Sequence, residues 1–341
     1  MNVKVLDCTL RDGGYANNWD FGYDNILGII NKLEKTNIEI IELGFIRDEV
    51  YDKNRSVYSA TEQIASLIKN KKSNVKYSAL IEMANYFPIE KLEVHKENTV
   101  DLIRYSFWKR LLDDGYEYCK NVAEKGYELS VQPTRVEQYT LDDFKYMVQK
   151  FGELKPYAIY IVDTFGLLSK KQLLQYAEIA DKYMDKNIAL GYHAHNNMQQ
   201  AFSNAVSLLE QKPDRDVLID ASVFGMGRGA GNLNLECIAN HLNIEYEKKY
   251  NVSQVYEIFD KYLKYDYEKY GWGYSMAYNI AASFECNPNY ATYYRSEKKL
   301  DNNDIYNIIS NICGPDKYLY SKDKAENFYN NYIESKGKNN E

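Results

Sequence analysis

Short apolar runs alternate along the chain with longer segments whose apolar residues recur at helical spacing. Eight runs read as strands: VKVLDCTL at 3–10, IEIIELGF at 38–45, VKYSALIEM at 75–83, LIRYSF at 102–107, ELSVQPT at 128–134, AIYIVDTFG at 158–166, IALGYHAHN at 188–196 and VLIDASVFG at 217–225. Between them, NILGIINKLEKTN, VYSATEQIASLIKNK, YEYCKNVAEKG, KKQLLQYAEIADKY and MQQAFSNAVSLLEQ predict amphipathic helices. Eight such alternations predict a (β/α)8 TIM barrel over residues 1–236. The rival is a doubly wound open sheet, supported by GMGRGA at 225–230, which fits the dinucleotide-binding spacing. That motif follows the last strand rather than the first, and no acidic residue ends a further strand about 20 residues on, so the barrel is preferred. After Glu236 the strand pattern fades, and residues 237–341 read as a helical C-terminal region ending in a disordered tail, ESKGKNNE.

Composition narrows the class. No apolar run approaches the length of a membrane helix, and MNVKVLDCTL lacks the apolar stretch of a secretory signal, so a cytoplasmic protein is expected. Five scattered cysteines, an odd number, suit reduced packing thiols better than a disulfide framework. A net charge of −7 argues against a nucleic-acid or anionic-membrane surface and leaves small-molecule chemistry. Against 34 tyrosines there are only 4 histidines, and two of those sit in one short segment.

In a barrel of this kind, functional side chains gather at the C-terminal ends of the strands. His193 and His195 stand two apart at the end of the seventh strand, so both rings face the same side and can share a divalent metal. Asp12 would complete three protein ligands with open positions left for substrate; the plainer alternative is a pair of hydrogen-bonded structural histidines. Gly13 and Gly14 would let the chain turn so that Arg11 and Asp12 converge on the mouth. There Arg11 either stabilises an enolate oxygen or forms an ion pair. The glycine-rich loop at 225–232 can approach a ligand closely, Asn232 offers an oxygen to a metal, and Arg228 is either an anion ligand or a solvated side chain. Glu42, Gln132, Thr134 and Asp163 lie near strand ends, where each contacts substrate or satisfies the barrel mouth. Asn17, Asn18, Trp19 and Asp20 form either a lid or an exposed turn.

DCTLRDGG at 7–14, DTFG at 163–166, HAHNN at 193–197 and GMGRGAGN at 225–232, each ending its strand, resemble the DRE-TIM metallolyase superfamily across residues 3–236. The resemblance implies a barrel that binds Mn²⁺ or Mg²⁺ and makes or breaks a carbon–carbon bond next to an enolate. It implies Asp12, His193, His195 and Asn232 as metal ligands and Arg11 as the enolate-stabilising group. Within the superfamily the chain is most similar to the 4-hydroxy-2-oxovalerate aldolase branch. Tyr15 stands where that branch has a catalytic histidine, and Tyr274, in GWGYSMAYNIA, resembles its C-terminal active-site tyrosine. Gln132, Thr134 and Asp163 are the substrate-binding candidates beside Arg11. The expected activity is aldol cleavage or formation of a 2-oxo acid. Alternatives are a Claisen-type condensation of acyl-CoA with a 2-oxo acid, and a non-catalytic regulatory or scaffold barrel. Homo-oligomers are expected. The branch also implies an aldehyde dehydrogenase partner through the C-terminal region, which YEKYGWGYSMAYNIAASFE loosely resembles.

Overall fold

Parallel strands buried on both faces need nearly continuous apolar sequence, and each of the eight apolar runs forms one. In a computed structural model, which describes residues 1–338, the strands are β1 Val3–Asp7, β2 Ile40–Ile46, a two-residue β3 Val57–Tyr58, β4 Lys76–Glu82, β5 Leu102–Trp108, β6 Glu128–Thr134, β7 Ala158–Asp163, β8 Ala189–Ala194 and β9 Val217–Ala221. All pairings are parallel, and β1 pairs with both β9 and β2, so the eight long strands close into a barrel while β3 adds to the edge of β2. The helices are α1 Tyr23–Leu33, α2 Thr61–Ala65, α3 Leu112–Glu124, α4 Leu141–Gly152, α5 Lys170–Tyr183, α6 Ala201–Glu210 and α7 Leu235–Glu245. Thr140 and Ser169 cap α4 and α5 by accepting from the amides of Asp143 and Gln172.

Two crossovers depart from the expected pattern. The segment at 57–71 begins as β3 and keeps only five helical residues, and the β4–β5 connection holds 3₁₀ turns in place of a helix. β1, β7, β8 and β9 end two to four residues before the runs that predict them, because the polar residues there turn away into the mouth.

Inside the barrel, Leu6, Ile40, Leu102, Tyr160 and Leu218 form an apolar floor. Gly191 is required there, since a Cβ would lie 2.2 Å from the Tyr160 ring.

Beyond α7 follow α8 Val252–Ile258, a π-helical turn, α9 Lys264–Tyr270, α10 Met276–Ser283, α11 Pro288–Thr292, α12 Asn302–Ile309 and α13 Lys322–Lys338. The boundary expected at 236/237 does not divide the cores. Ile238, Leu242, Val255, Ile258, Leu263 and Trp272 belong to the barrel's hydrophobic cluster. A separate cluster of Ala277, Tyr290, Tyr294, Ile305, Ile309 and Ala325 begins with α10 and includes Ala230 from the glycine-rich loop. The tail expected to be disordered continues α13 as far as Lys338, and residues 339–341 lie outside the described residues. Among the described residues no helix is long and apolar enough to cross a membrane. All five cysteines are free; Cys8, Cys119 and Cys286 are buried as expected of packing thiols, whereas Cys237 and Cys313 are exposed.

Candidate metal centre and active site

The chain turns sharply where β1 ends: the amides of Arg11, Asp12 and Gly13 all donate to the Cys8 carbonyl. This turn, ahead of the two glycines, aims Arg11 and Asp12 together into the mouth. Gly14 serves a different purpose, because Trp19 lies on it so closely that a Cβ would sit 1.9 Å from the indole Cδ1. Trp19 Nε1 donates to the Arg11 carbonyl at 2.7 Å, and its ring packs against Phe45 and the Arg47 guanidinium. Asn17 and Trp19 are buried, and Trp19 does not line the cavity described below. The Asn17–Asp20 segment is thus a turn that exposes Asn18 and Asp20 and buries Asn17 and Trp19, the indole wedged behind the site wall.

Asp12, His193 and His195 bring one ligand atom each to within 4.8 Å of one another. His195 Nε2 lies 3.2 Å from Asp12 Oδ2, and its Nδ1 faces the Asp163 carbonyl at 3.4 Å. Across the site, Asp220 Oδ2 lies 3.0 Å from His193 Nδ1, so each ring has an outer partner for Nδ1 and keeps Nε2 inward. Burial lowers the His193 pKa and keeps the ring neutral, as a ligand must be. Burial opposes ionisation of Asp12, but the Arg11 guanidinium and the His195 ring hold its carboxyl well below the usual range.

Asn232 reaches the same place through the glycine-rich loop, bridged to His195 by a β-type pairing. Its Nδ2 donates to the Met226 carbonyl at 2.9 Å, while Oδ1 is buried without a hydrogen-bond partner. A Cβ on Gly227 would come within 2.3 Å of Asn232 Nδ2 and 3.0 Å of Asp12 Oδ2, so the loop backbone closes directly over these side chains. A carboxylate, two imidazoles and an orphaned amide oxygen form a donor set that fits a divalent cation.

Beneath this set runs a buried chain of charge that the sequence did not announce. Arg11 Nε donates to Glu42 Oε2 at 2.7 Å, and Arg11 Nη1 pairs with Asp12. Glu42 Oε1 lies 2.8 Å from Nη1 of Arg104, whose Nη2 pairs with Asp220, and Tyr160 donates to the other Asp220 oxygen at 2.9 Å. Arg104 is 0% exposed. The carboxylates of Asp12, Glu42 and Asp220 face the guanidinium groups of Arg11 and Arg104, one negative charge in excess, which a bound cation would offset. The available signal was a charged residue at an inward-facing position of an otherwise apolar strand: Arg104 in LIRYSFW and Asp220 in VLIDA.

These groups open into a cavity of about 990 Å³. Arg11, Asp12, Tyr15, Gln132, Thr134, His193 and His195 line it as expected. Two expected residues, Tyr274 and Asp163, do not line the cavity, and the role open to Tyr15 is narrowed. Tyr274 is 52% exposed on the turn between α9 and α10 and does not line the cavity. Asp163 is spent on its own turn, accepting from the amides of Leu167 and Leu168; burial raises its pKa to about 7, and only its carbonyl touches the site, through His195. Tyr15 is 37% exposed, yet its phenol is set deep in the mouth. Burial, reinforced by Glu82, raises its pKa above the usual 10, which disqualifies it as a ready base. Of the two remaining histidines, His95 packs edge-on to Tyr127 and His241 against Phe202. The far wall of the cavity comes partly from the C-terminal region, through Asn287, Asn289, Pro315 and Tyr318.

The chain is similar to proteins of known family and fold. The HMGL-like family model matches residues 2–261. An oxaloacetate decarboxylase of Mycobacterium tuberculosis is 25% identical over 69% of this chain and 68% of its own length. A 4-hydroxy-2-oxovalerate aldolase of Geobacillus genomosp. 3 is 22% identical over 69% of each chain. The N-terminal domain of a putative aldolase from Bacteroides vulgatus shares the fold with a TM-score of 0.72 and 23% identity, covering 85% of this chain and 96% of that one. The chain belongs to the HMGL-like family, among the DRE-TIM metallolyases.

Proposed function

We propose that the protein is a divalent-metal-dependent aldolase that interconverts a 4-hydroxy-2-oxo acid with pyruvate and an aldehyde. The observation that carries this reading is the placement of Arg11 against the Asp12, His193 and His195 cluster. A cation held by those three residues and Asn232 would polarise the 2-oxo group and offset the charge of the enolate. Arg11 is fixed through Nε and Nη1, and among the described residues its Nη2 has no hydrogen-bond partner, leaving one donor for the enolate oxygen. Glu42 and Arg104 hold that guanidinium rigid, so its orientation costs nothing at the moment of reaction.

Tyr15 acts as the protonated partner. A phenol whose pKa is raised by burial keeps its proton, and is matched to give it to the alkoxide as the new carbon–carbon bond forms. In condensation a methyl proton of pyruvate passes to solvent, the enolate carbon attacks the aldehyde carbonyl to form the bond between the third and fourth carbons, and the resulting alkoxide takes the Tyr15 proton, which solvent then restores.

The test is proton NMR of pyruvate in deuterated water with and without Mn²⁺. Exchange of the methyl protons that depends on both protein and metal is expected; absence of exchange together with absence of metal binding overturns the reading. Loss of CO₂ from oxaloacetate would leave the same enolate, so that acid is a second substrate to assay. Asp12→Asn, His193→Ala and His195→Ala should each weaken Mn²⁺ binding by at least ~100-fold, and Asp220→Asn, one shell out, by about 10- to 100-fold, as read by calorimetry.

A further inference from the structure

The cavity is far larger than pyruvate needs, and its outer part has one sign of charge. Lys109, Arg110, Arg135 and Arg228 line it, against Glu82 as the only carboxylate besides Asp12 among the described lining residues. Glu82 is paired with Arg47, Lys109 with Asp143 and Arg135 with Glu137. Arg228 differs. Its Nη2 donates to Asn287 Oδ1 at 2.7 Å and its Nε to Asn289 Oδ1 at 3.2 Å, and among the described residues no carboxylate pairs with it. Two neutral amide oxygens orient the guanidinium without cancelling its charge.

The orientation is firm. Asn287 Nδ2 donates to the Tyr318 carbonyl at 3.1 Å, which fixes Oδ1 as the atom facing Arg228. On the barrel side, the Gly231 amide donates to the Arg228 carbonyl at 3.0 Å and the Ala230 amide to Asn197 Oδ1 at 2.8 Å, so the loop that carries Arg228 is tied down up to Asn232. The Arg228 guanidinium lies 5.8 Å from the Tyr15 ring centre and 5.9 Å from that of Phe165, and Arg135 leans on Phe165 from 4.9 Å. Both arginines therefore stand beside the Phe165 ring. A guanidinium that is preoriented, uncompensated and aimed into a cavity is a receptor for an oxyanion.

We propose that Arg228, assisted by Arg135, binds an oxyanion on the far end of the substrate, the part that leaves as the aldehyde, and thereby sets the enzyme's choice of aldehyde. The oxyanion is a carboxylate or a phosphate ester, and the C-terminal region determines it through Asn287 and Asn289. The proposal rests on the aldolase reading for its chemistry, though not for its binding site.

Two experiments test it on the full chain. In the first, the Mn²⁺-loaded protein condenses pyruvate with propanal, with glyoxylate and succinic semialdehyde, and with glycolaldehyde phosphate. The expected kcat/KM for at least one anionic class exceeds that for propanal by ~100-fold, and Arg228→Gln reduces that ratio at least ~10-fold, with part of it recovered in Arg228→Lys. The carboxylate and phosphate arms identify the oxyanion. Asn287→Asp, which sets a carboxylate against Arg228 with almost no change of shape, reduces the same ratio should the arginine variant fail to fold. A ratio near one in the unaltered protein, or one that neither variant moves, overturns the proposal.

In the second, calorimetry follows inorganic phosphate and succinate binding to the metal-free protein and to Arg228→Gln. If pyruvate exchange fails while the substitution still abolishes anion binding, the aldolase reading falls and the anion site stands. If exchange proceeds and neither anion distinguishes the two proteins, the anion site falls.

Discussion

Arg104 is the residue on which the interior charges turn, since it alone bridges Glu42, which holds Arg11, and Asp220, which holds His193. Replacing it with Met leaves two buried carboxylates without their shared cation. Arg104→Met is expected to destabilise the chain by about 3–5 kcal/mol in urea unfolding, and to weaken Mn²⁺ binding by disturbing both outer partners. A loss below about 1 kcal/mol would show that the network contributes little to the fold. Among the described residues Asp7 has only Thr9 as a hydrogen-bond partner, and burial raises its pKa from 3.8 to about 7. Between those values the folded chain keeps a proton that the unfolded chain has released, so stability falls as pH rises through the window, and the loss is complete above about 7. Asp7→Asn should remove that slope, with an advantage over the unaltered protein that grows from pH 4 to pH 8 toward about 4 kcal/mol; parallel stability curves would refute the assignment.

At the scale of elements, the turn after β1 concentrates the most consequence in the fewest residues. Gly14→Ala sets a methyl group inside the Trp19 indole, so the ring must leave both the Arg11 carbonyl and the Arg47 guanidinium. A cost of about 1–3 kcal/mol is expected, with a red-shifted tryptophan emission that reports the displaced ring; an unchanged spectrum would mean that the wedge accommodates the methyl. Much of this was legible beforehand. The eight strands were visible because buried parallel strands demand runs such as IEIIELGF, and His193, His195 and Asp12 because metal-ligating residues ended the first and the seventh of those runs. What escaped had no local signature. Arg104 and Asp220 are isolated letters whose meaning depends on facing each other across the barrel. Asp163 ended the right strand but found nearer partners in the Leu167 and Leu168 amides. Tyr274 shared a motif with active-site tyrosines, yet Gly271 and Gly273, both at positive φ, carry the turn outward.

Across the whole molecule, the barrel's hydrophobic core and the separate C-terminal one both border the cavity, and the second is expected to open by itself. Ile309 is fully buried in that second core, so Ile309→Ala should cost about 2–5 kcal/mol there. Hydrogen exchange is then expected to accelerate in α10, α11 and α12 while β5 to β8 keep their protection; uniform acceleration would show one cooperative unit. The cavity draws its floor and catalytic groups from the barrel and part of its outer wall from Asn287, Asn289, Pro315, Tyr318, Leu319 and Tyr320. That division makes the protein a natural chassis for directed evolution: a library confined to those six positions diversifies what the pocket accepts, while every residue that handles the bond-breaking end stays as it is.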